Sequence, residues 1–287
     1  MYQESFGSAV KRGYMNLPPV IRTLITVNLV IFLVQILAGT SVGRGIVNLF
    51  AFQPEWSVAL TQPWRFVTYM FLHGSGFHLL FNMLWLWWMG RPVETSLGPR
   101  TFIVLYFGSG IGGALLNVGL APLLGANLVI GASGAVFGVM VAFAVMFPRT
   151  PIMLFLLPPI EARFVVAGLI VFDLLFIGAG DNIARVVHLG GAGVGYLLIK
   201  AHYGGSDLSG WVRRVESLWS RGSGGGGGRK RRARNPNMYS VRDVEVMEET
   251  ELDDLDEILD KISKKGYDAL SKEEKKRLFE LSKRKER

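Results

Sequence analysis

The sequence predicts an all-α, polytopic membrane protein: a bundle of six transmembrane helices followed by a short soluble helical hairpin. Two observations carry that expectation. Of 287 residues, 50% are hydrophobic and only 19% charged, with a mean hydropathy of +0.32, whereas soluble domains carry about 25% charged residues. The charge is also segregated: residues 1–199 hold 10 Lys/Arg and 6 Asp/Glu, and 200–287 hold 21 and 17. This distribution argues against an ordinary cytosolic enzyme.

The gaps between charges mark the helices. Residues 1–20 form an N-terminal segment, and residues 21–205 the membrane domain. The 21 uncharged residues between Arg22 and Arg44 include the apolar run Leu24 to Leu37, and about 20 such residues cross a bilayer. A cleaved leader ending near Ala38-Gly39-Thr40 is the competing reading; the further spans, and the want of an A-x-A site, favour a retained helix. The second span comes from the 25 uncharged residues Phe66 to Gly90. The 48 uncharged residues from 101 to 148 exceed one helix, and Asn117, Pro122, Gly125 and Asn127 put a turn among them, giving spans at 101–121 and 131–148. Glu161 and Arg163 restrict the fifth span to 162–178, and the glycine-rich stretch Val186 to Tyr203 makes a sixth.

Six spans put both ends on one side. Lys11, Arg12, Arg22, Arg91, Arg100, Arg149, Arg163 and the basic tail fall on that side, against Arg44, Arg65 and Arg185 on the other. The positive-inside bias makes it the cytoplasm, with the bacterial plasma membrane as the expected location. Residues 206–247, with a glycine run at 224–228 and then Arg229-Lys230-Arg231-Arg232, read as a flexible basic linker. In 248–287, Leu252, Leu255, Ile258, Leu259 and Ile262 recur at helical spacing. A turn at Gly266-Tyr267-Asp268 follows, and Ser271 with Glu273-Glu274 opens a second helix. This hairpin is a solvated amphipathic module that docks on the host protein or a cytoplasmic partner. The tail lacks interleaved aromatics, so lipid rather than nucleic acid is the partner of the basic residues. No cysteine is present, which excludes thiol nucleophiles and cysteine-held metals.

A polar side chain in hydrocarbon costs a few kcal/mol and needs a reason. The spans hold few: His73, His78 and Asn82, then Ser133, Asp173 and His188. Ser133 lies in Gly131-Ala132-Ser133-Gly134 at a helix mouth, where free backbone N–H groups and small neighbours suit a nucleophile. The structural alternative is a small-residue helix contact through Gly134 and Gly138. His188 is followed on its own face by Gly191 and Gly195, which allow close approach to another helix. A serine-topped and a histidine-topped helix, both glycine-faced, suit a Ser–His pair; a lone bundle histidine is the alternative. His78 and Asn82 are four apart and share a face, fit to donate to an oxyanion. A metal at His73 and His78 lacks carboxylate partners, so neither metal nor cofactor is expected. Asp173 invites completion of a triad, but its structural reading is a bond to loop backbone or contact with water near Gly178 and Gly180.

These pieces resemble the rhomboid family of intramembrane serine proteases. The resemblance covers residues 20–203 and rests on Trp64-Arg65, His73/His78/Asn82 at H-x4-H-x3-N spacing, Glu94 with Leu97-Gly98, the G-x-S-G at Gly131 to Gly134, and the H-x2-G-x3-G at His188, Gly191 and Gly195. It implies a dyad of Ser133 as nucleophile and His188 as general base and acid. It also implies an oxyanion pocket from His78, Asn82 and the backbone at Ser133, Ala132 and Gly131. Phe137 would pack on the histidine, His73, Trp64 and Arg65 would be architectural, and the fifth span with its following loop would gate the substrate. Substrates would be transmembrane proteins cleaved in the external half of the bilayer. A non-catalytic binding or quality-control protein is the alternative; a transporter would need inverted repeats and broken helices, which are not seen.

Overall fold

The computed structural model of the chain describes residues 12–125, 127–153, 158–177, 182–222, 258, 260–264, 266, 269–276 and 278. Gly178, Gly180, the glycine run with its basic residues, and Leu252, Leu255 and Leu259 lie outside the described residues. The chain divides into two units, Met1–Ser223 and Gly224–Arg287.

The first unit is helical almost throughout. Its order is α1 (Pro19–Leu37), α2 (Gly39–Phe50), α3 (Trp56–Thr61), α4 (Arg65–Thr68) with a 3-10 turn at Tyr69–Phe71, α5 (Gly76–Leu97), α6 (Pro99–Leu124), α7 (Ser133–Met146), a two-residue antiparallel pair β1 (Pro151–Ile152) and β2 (Ile160–Glu161), α8 (Ala162–Leu175), α9 (Asn182–Tyr203) and α10 (Ser209–Gly222). Two helices, Pro19–Leu37 and Pro99–Leu123, are long and apolar enough to cross a membrane, and Ser133–Met146 is apolar but shorter. At the other expected spans, α5 and α9 carry charged residues such as Arg91, Glu94 and Lys200, and α8 has 14 residues, about 21 Å of helix.

The first apolar run, Leu24 to Leu37, lies in one helix, α1; the uncharged residues after it begin α2 at Gly39, which takes φ +78°. Two expectations are corrected. The second expected span does not start at Phe66: the chain breaks after Phe71, and α5 begins at Gly76, capped by Ser75, whose Oγ accepts from His78 N–H at 3.1 Å. The expected linker from residue 206 instead begins with helix α10.

Helix α5 buries Leu79, Asn82, Met83, Leu86, Met89, Val93 and Glu94 along one face while exposing Phe77, Leu80, Phe81, Leu84 and Trp87 on others. A helix apolar all round suits lipid, not water. Lipid tails are as apolar as leucine, so burial alone does not choose a packing there, and close backbone contacts and polar pins must do so.

Two such pins are clear. Glu94, buried on α5, accepts from the Val20 and Ile21 N–H groups, both at 2.9 Å. A carboxylate thereby satisfies orphan donors at the start of α1 and lies at the positive end of its dipole. At the end of α2, the carbonyls of Asn48 and Ala51 accept from Arg65 at 2.6 and 2.5 Å, that of Leu49 from Trp64 Nε1 at 3.3 Å, and that of Phe50 from Thr68 at 2.7 Å. Replacing Glu94 with Ala leaves two N–H groups unpaired, and each is worth about 1–3 kcal/mol when buried. The expected result is a thermal midpoint several degrees lower in detergent, with Glu94→Gln losing less because one carbonyl oxygen still accepts.

In the second unit, the described residues include helical turns at 260–264 and 272–276, with Ile258 and Leu270 buried. Gly266 takes φ +79° at the turn. Ser271 and Glu274 form a capping box: Ser271 N–H donates to Glu274 Oε2 at 2.7 Å and Glu274 N–H to Ser271 Oγ at 3.2 Å. Lys261 reaches Glu274 at 2.8 Å and, ahead of the Ser271 N–H, lowers the Glu274 carboxyl to about 2.

Candidate active site

The candidate residues gather at the N-terminal ends of three helices. Ser133 is the first residue of α7, His78 stands in the first turn of α5, and His188 lies near the start of α9. Since α5, α7 and α9 enter from the same end, the polar residues that the sequence singles out share one level of the first unit.

Glycine brings α7 and α9 together. A Cβ on Gly191 would overlap the Gly134 carbonyl oxygen, and one on Gly195 would lie 2.5 Å from Gly138 Cα and 2.6 Å from its oxygen. A Cβ on Gly134 would stand 2.7 Å from Val187 Cγ1. Gly134 follows Ser133 and Val187 precedes His188, so this contact brings together the two chain segments that carry the serine and the histidine. On the other side of α9, a Cβ on Gly190 would come 2.8 Å from Gly113 Cα of α6. The glycines around Ser133 lie at the start of α7 and in its contact with α9.

The turn into α7 is equally constrained. Gly131 takes φ +122°, and its N–H donates to the Tyr69 carbonyl at 2.9 Å. A Cβ there would lie 2.6 Å from His78 Nε2 and 3.8 Å from Ser133 Oγ. Only glycine serves at 131, and His78 Nε2 and Ser133 Oγ face the same small space. Ala132 is fully buried as the N-cap, Val136 N–H makes the first helical bond to its carbonyl at 3.0 Å, and the amides of Ser133 and Gly134 precede that bond. They point to the same end as a negative charge on Ser133 Oγ would require.

His78 Nδ1 accepts from Gly74 N–H at 3.5 Å, which leaves Nε2 to carry hydrogen toward the Gly131 turn. Asn82 is buried and donates one amide hydrogen to the His78 carbonyl at 2.8 Å, leaving a second donor. His73 is buried, edge-on to His78 with centroids 5.0 Å apart. It sits outside any helix, and its carbonyl and N–H meet the Gln35 side chain at 3.5 and 3.2 Å. Trp64 and Arg65 cap α2 and take no part in the cluster. Among the described residues no group of three metal-ligating side chains forms.

His188 is held on two sides. Phe137 of α7 stacks on its ring, with centroids 4.3 Å apart and planes 7° apart. Asp173 Oδ2 stands 2.9 Å from Nδ1, which corrects the expectation that this aspartate bonds loop backbone or water. Nothing local signals the pair, because 15 residues separate its members. Among the described residues no hydrogen bond joins Ser133 to His188; hydrogen bonds of reacting groups commonly tighten only when substrate is bound. A groove of about 410 Å³ beside Trp87, Trp88, Arg91 and Phe147 lies at the opposite ends of α5 and α7 and holds none of these residues.

Comparison with known proteins adds the following. Residues 60–203 match the rhomboid domain, and residues 247–284 match a family of unknown function, DUF6576. The chain is similar to rhomboid protease GlpG of Serratia proteamaculans, 32% identical over 151 residues that cover 50% of each protein. It is similar to RHOMBOID-like protein 4 of Arabidopsis thaliana, 35% identical over 148 residues, 50% of this chain and 36% of that one. It also resembles the mitochondrial Rhomboid protein 1 of Saccharomyces cerevisiae, 41% identical over 91 residues, 31% of this chain and 26% of that one. The chain spans half or less of the length of these relatives.

Proposed function

Because the chain belongs to the rhomboid family, we propose that it is an intramembrane serine endopeptidase that cleaves transmembrane protein substrates through a dyad of Ser133 and His188. The observation that supports this reading is the glycine contact of α7 with α9, which joins the helix headed by Ser133 to the helix that carries the Phe137-stacked His188. Ser133 Oγ attacks the substrate carbonyl while its proton passes to His188. The oxyanion accepts hydrogen bonds from the Ser133 amide, His78 and the free hydrogen of Asn82, flanked by Ala132 and Gly131. The C–N bond then breaks as His188 returns the proton to the leaving nitrogen. Water, activated by the same imidazole, hydrolyses the acyl-serine and regenerates the hydroxyl.

The same reading has six spans, with α1, α5, α6, α7, α8 and α9 crossing the bilayer and both ends cytoplasmic. The Lys/Arg bias supports that orientation. Relatives from a bacterium, a plant and yeast mitochondria leave the family without a single membrane, so charge, not kinship, supports the placement. The module after residue 247 serves as a cytoplasmic docking element. A second reading is a binding protein of the same fold.

A fluorophosphonate separates the two. The intact protein is expected to gain one covalent adduct on Ser133, located by peptide mass, and His188→Ala to label at least about 100-fold more slowly. An unlabelled Ser133 in folded protein selects the binding reading.

A further inference from the structure

We infer that Asp173 is a positioning residue for His188. Its carboxylate keeps hydrogen on Nδ1 and so leaves the Nε2 lone pair bare to take the Ser133 proton. The inference rests on the protease reading for its chemistry, and on an observed contact for its geometry.

Asp173 Oδ2 lies 2.9 Å from His188 Nδ1, with the two side chains 10% and 18% exposed. An ionised carboxylate only accepts, so Nδ1 is the donor and the lone pair falls to the nitrogen on the far edge of the ring. Phe137 fixes the plane of the ring by stacking at 7°. A 180° turn about Cβ–Cγ restores the same plane but exchanges the two edges of the ring. Bonding one edge to Asp173 removes this freedom, so the plane comes from α7 and the orientation in the plane from α8.

The meeting of α8 and α9 is also secured independently of the pair. Arg185, three residues before His188, donates Nη1–H to the Phe176 carbonyl at the end of α8 at 2.9 Å, and its guanidinium lies 5.9 Å from the Phe176 ring centre. Asp173 stands three residues before Phe176. The contact therefore sits at a built junction of two helices, where an acid so little exposed in an apolar chain requires a function.

Asp173→Asn keeps the shape but offers either an oxygen or an N–H to the ring, so it no longer selects a tautomer. With full-length protein and a fluorogenic peptide carrying a transmembrane segment, Asp173→Asn is expected to lower kcat by roughly 10- to 100-fold with KM nearly unchanged. Asp173→Glu, which keeps the carboxylate, recovers much of the rate. In ¹⁵N-histidine spectra, the His188 signals, identified by their loss in His188→Gln, show one protonated and one bare nitrogen in wild type, and Asp173→Asn averages them. Wild-type kcat and spectrum in Asp173→Asn overturn the inference. So do equal losses in Asn and Glu variants with a lowered thermal midpoint, which would make Asp173 a packing residue. Wild-type protein that shows the tautomer but neither cleaves nor takes a fluorophosphonate overturns the protease reading instead.

Discussion

Ser133→Ala is expected to lower cleavage of a co-expressed transmembrane substrate by about 10⁴-fold or more, with the thermal midpoint in detergent unmoved. Ser133 is half-buried at the first position of α7, and losing a hydroxyl there removes no packing atom from the glycine contact. A surface-like change of this kind shifts stability by about 0.5 kcal/mol or less. His188→Ala should abolish cleavage to the same degree and also destabilise, since it strips Phe137 of its stacking partner and leaves Asp173 unpaired. The differing stabilities are part of the prediction. Release of substrate fragments, read by immunoblot beside thermal melts of both variants, tests it; cleavage persisting in either variant refutes the dyad.

Gly191→Ala should also be damaging, less severely and for a different reason. The added methyl meets the Gly134 backbone, which cannot rotate aside as a side chain can. The helices must part, at a cost of about 3 kcal/mol, and a displacement near 1 Å at reacting groups costs roughly 100-fold in rate. Gly193 is the control on the same helix: a Cβ there meets nothing within 4 Å. Gly193→Ala should be neutral, or stabilising by up to about 1 kcal/mol through helix propensity. Melting curves and turnover of the two variants should diverge in opposite directions. Similar behaviour of both would remove the close contact as the device that brings the segments of Ser133 and His188 together.

The glycine contact was legible because small residues at i and i+4 on two apolar helices have few other uses, and Ser133 and His188 stand at its head. Legible too was the Ser271–Glu274 capping box, a purely local pattern. What escaped was long-range or charged. Glu94 reaches Val20 and Ile21 across more than 70 residues, and no periodicity announces such a partner. Asp173 read as a span residue that bonds loop backbone or water, because its partner lies beyond the next connection. Helix α10 hid behind Arg213, Arg214 and Glu216, although Trp211, Val215 and Leu218 carry the i, i+4, i+7 spacing that could have revealed it.

At Gly191 and Gly195 the contact between α7 and α9 is made of backbone and Cα atoms, which have no side-chain torsions to relax. The spacing of the two helices therefore has no soft degree of freedom at the level of the site. With the His188 ring held by Phe137 and Asp173, the remaining adjustable element is the Ser133 hydroxyl. On the dyad proposed above, engagement of serine with imidazole would be a rotamer event, on the picosecond-to-nanosecond scale, and not a helix movement on the microsecond-to-millisecond scale. On that reading a slow step in turnover is expected in substrate entry or product release, not in assembly of the pair.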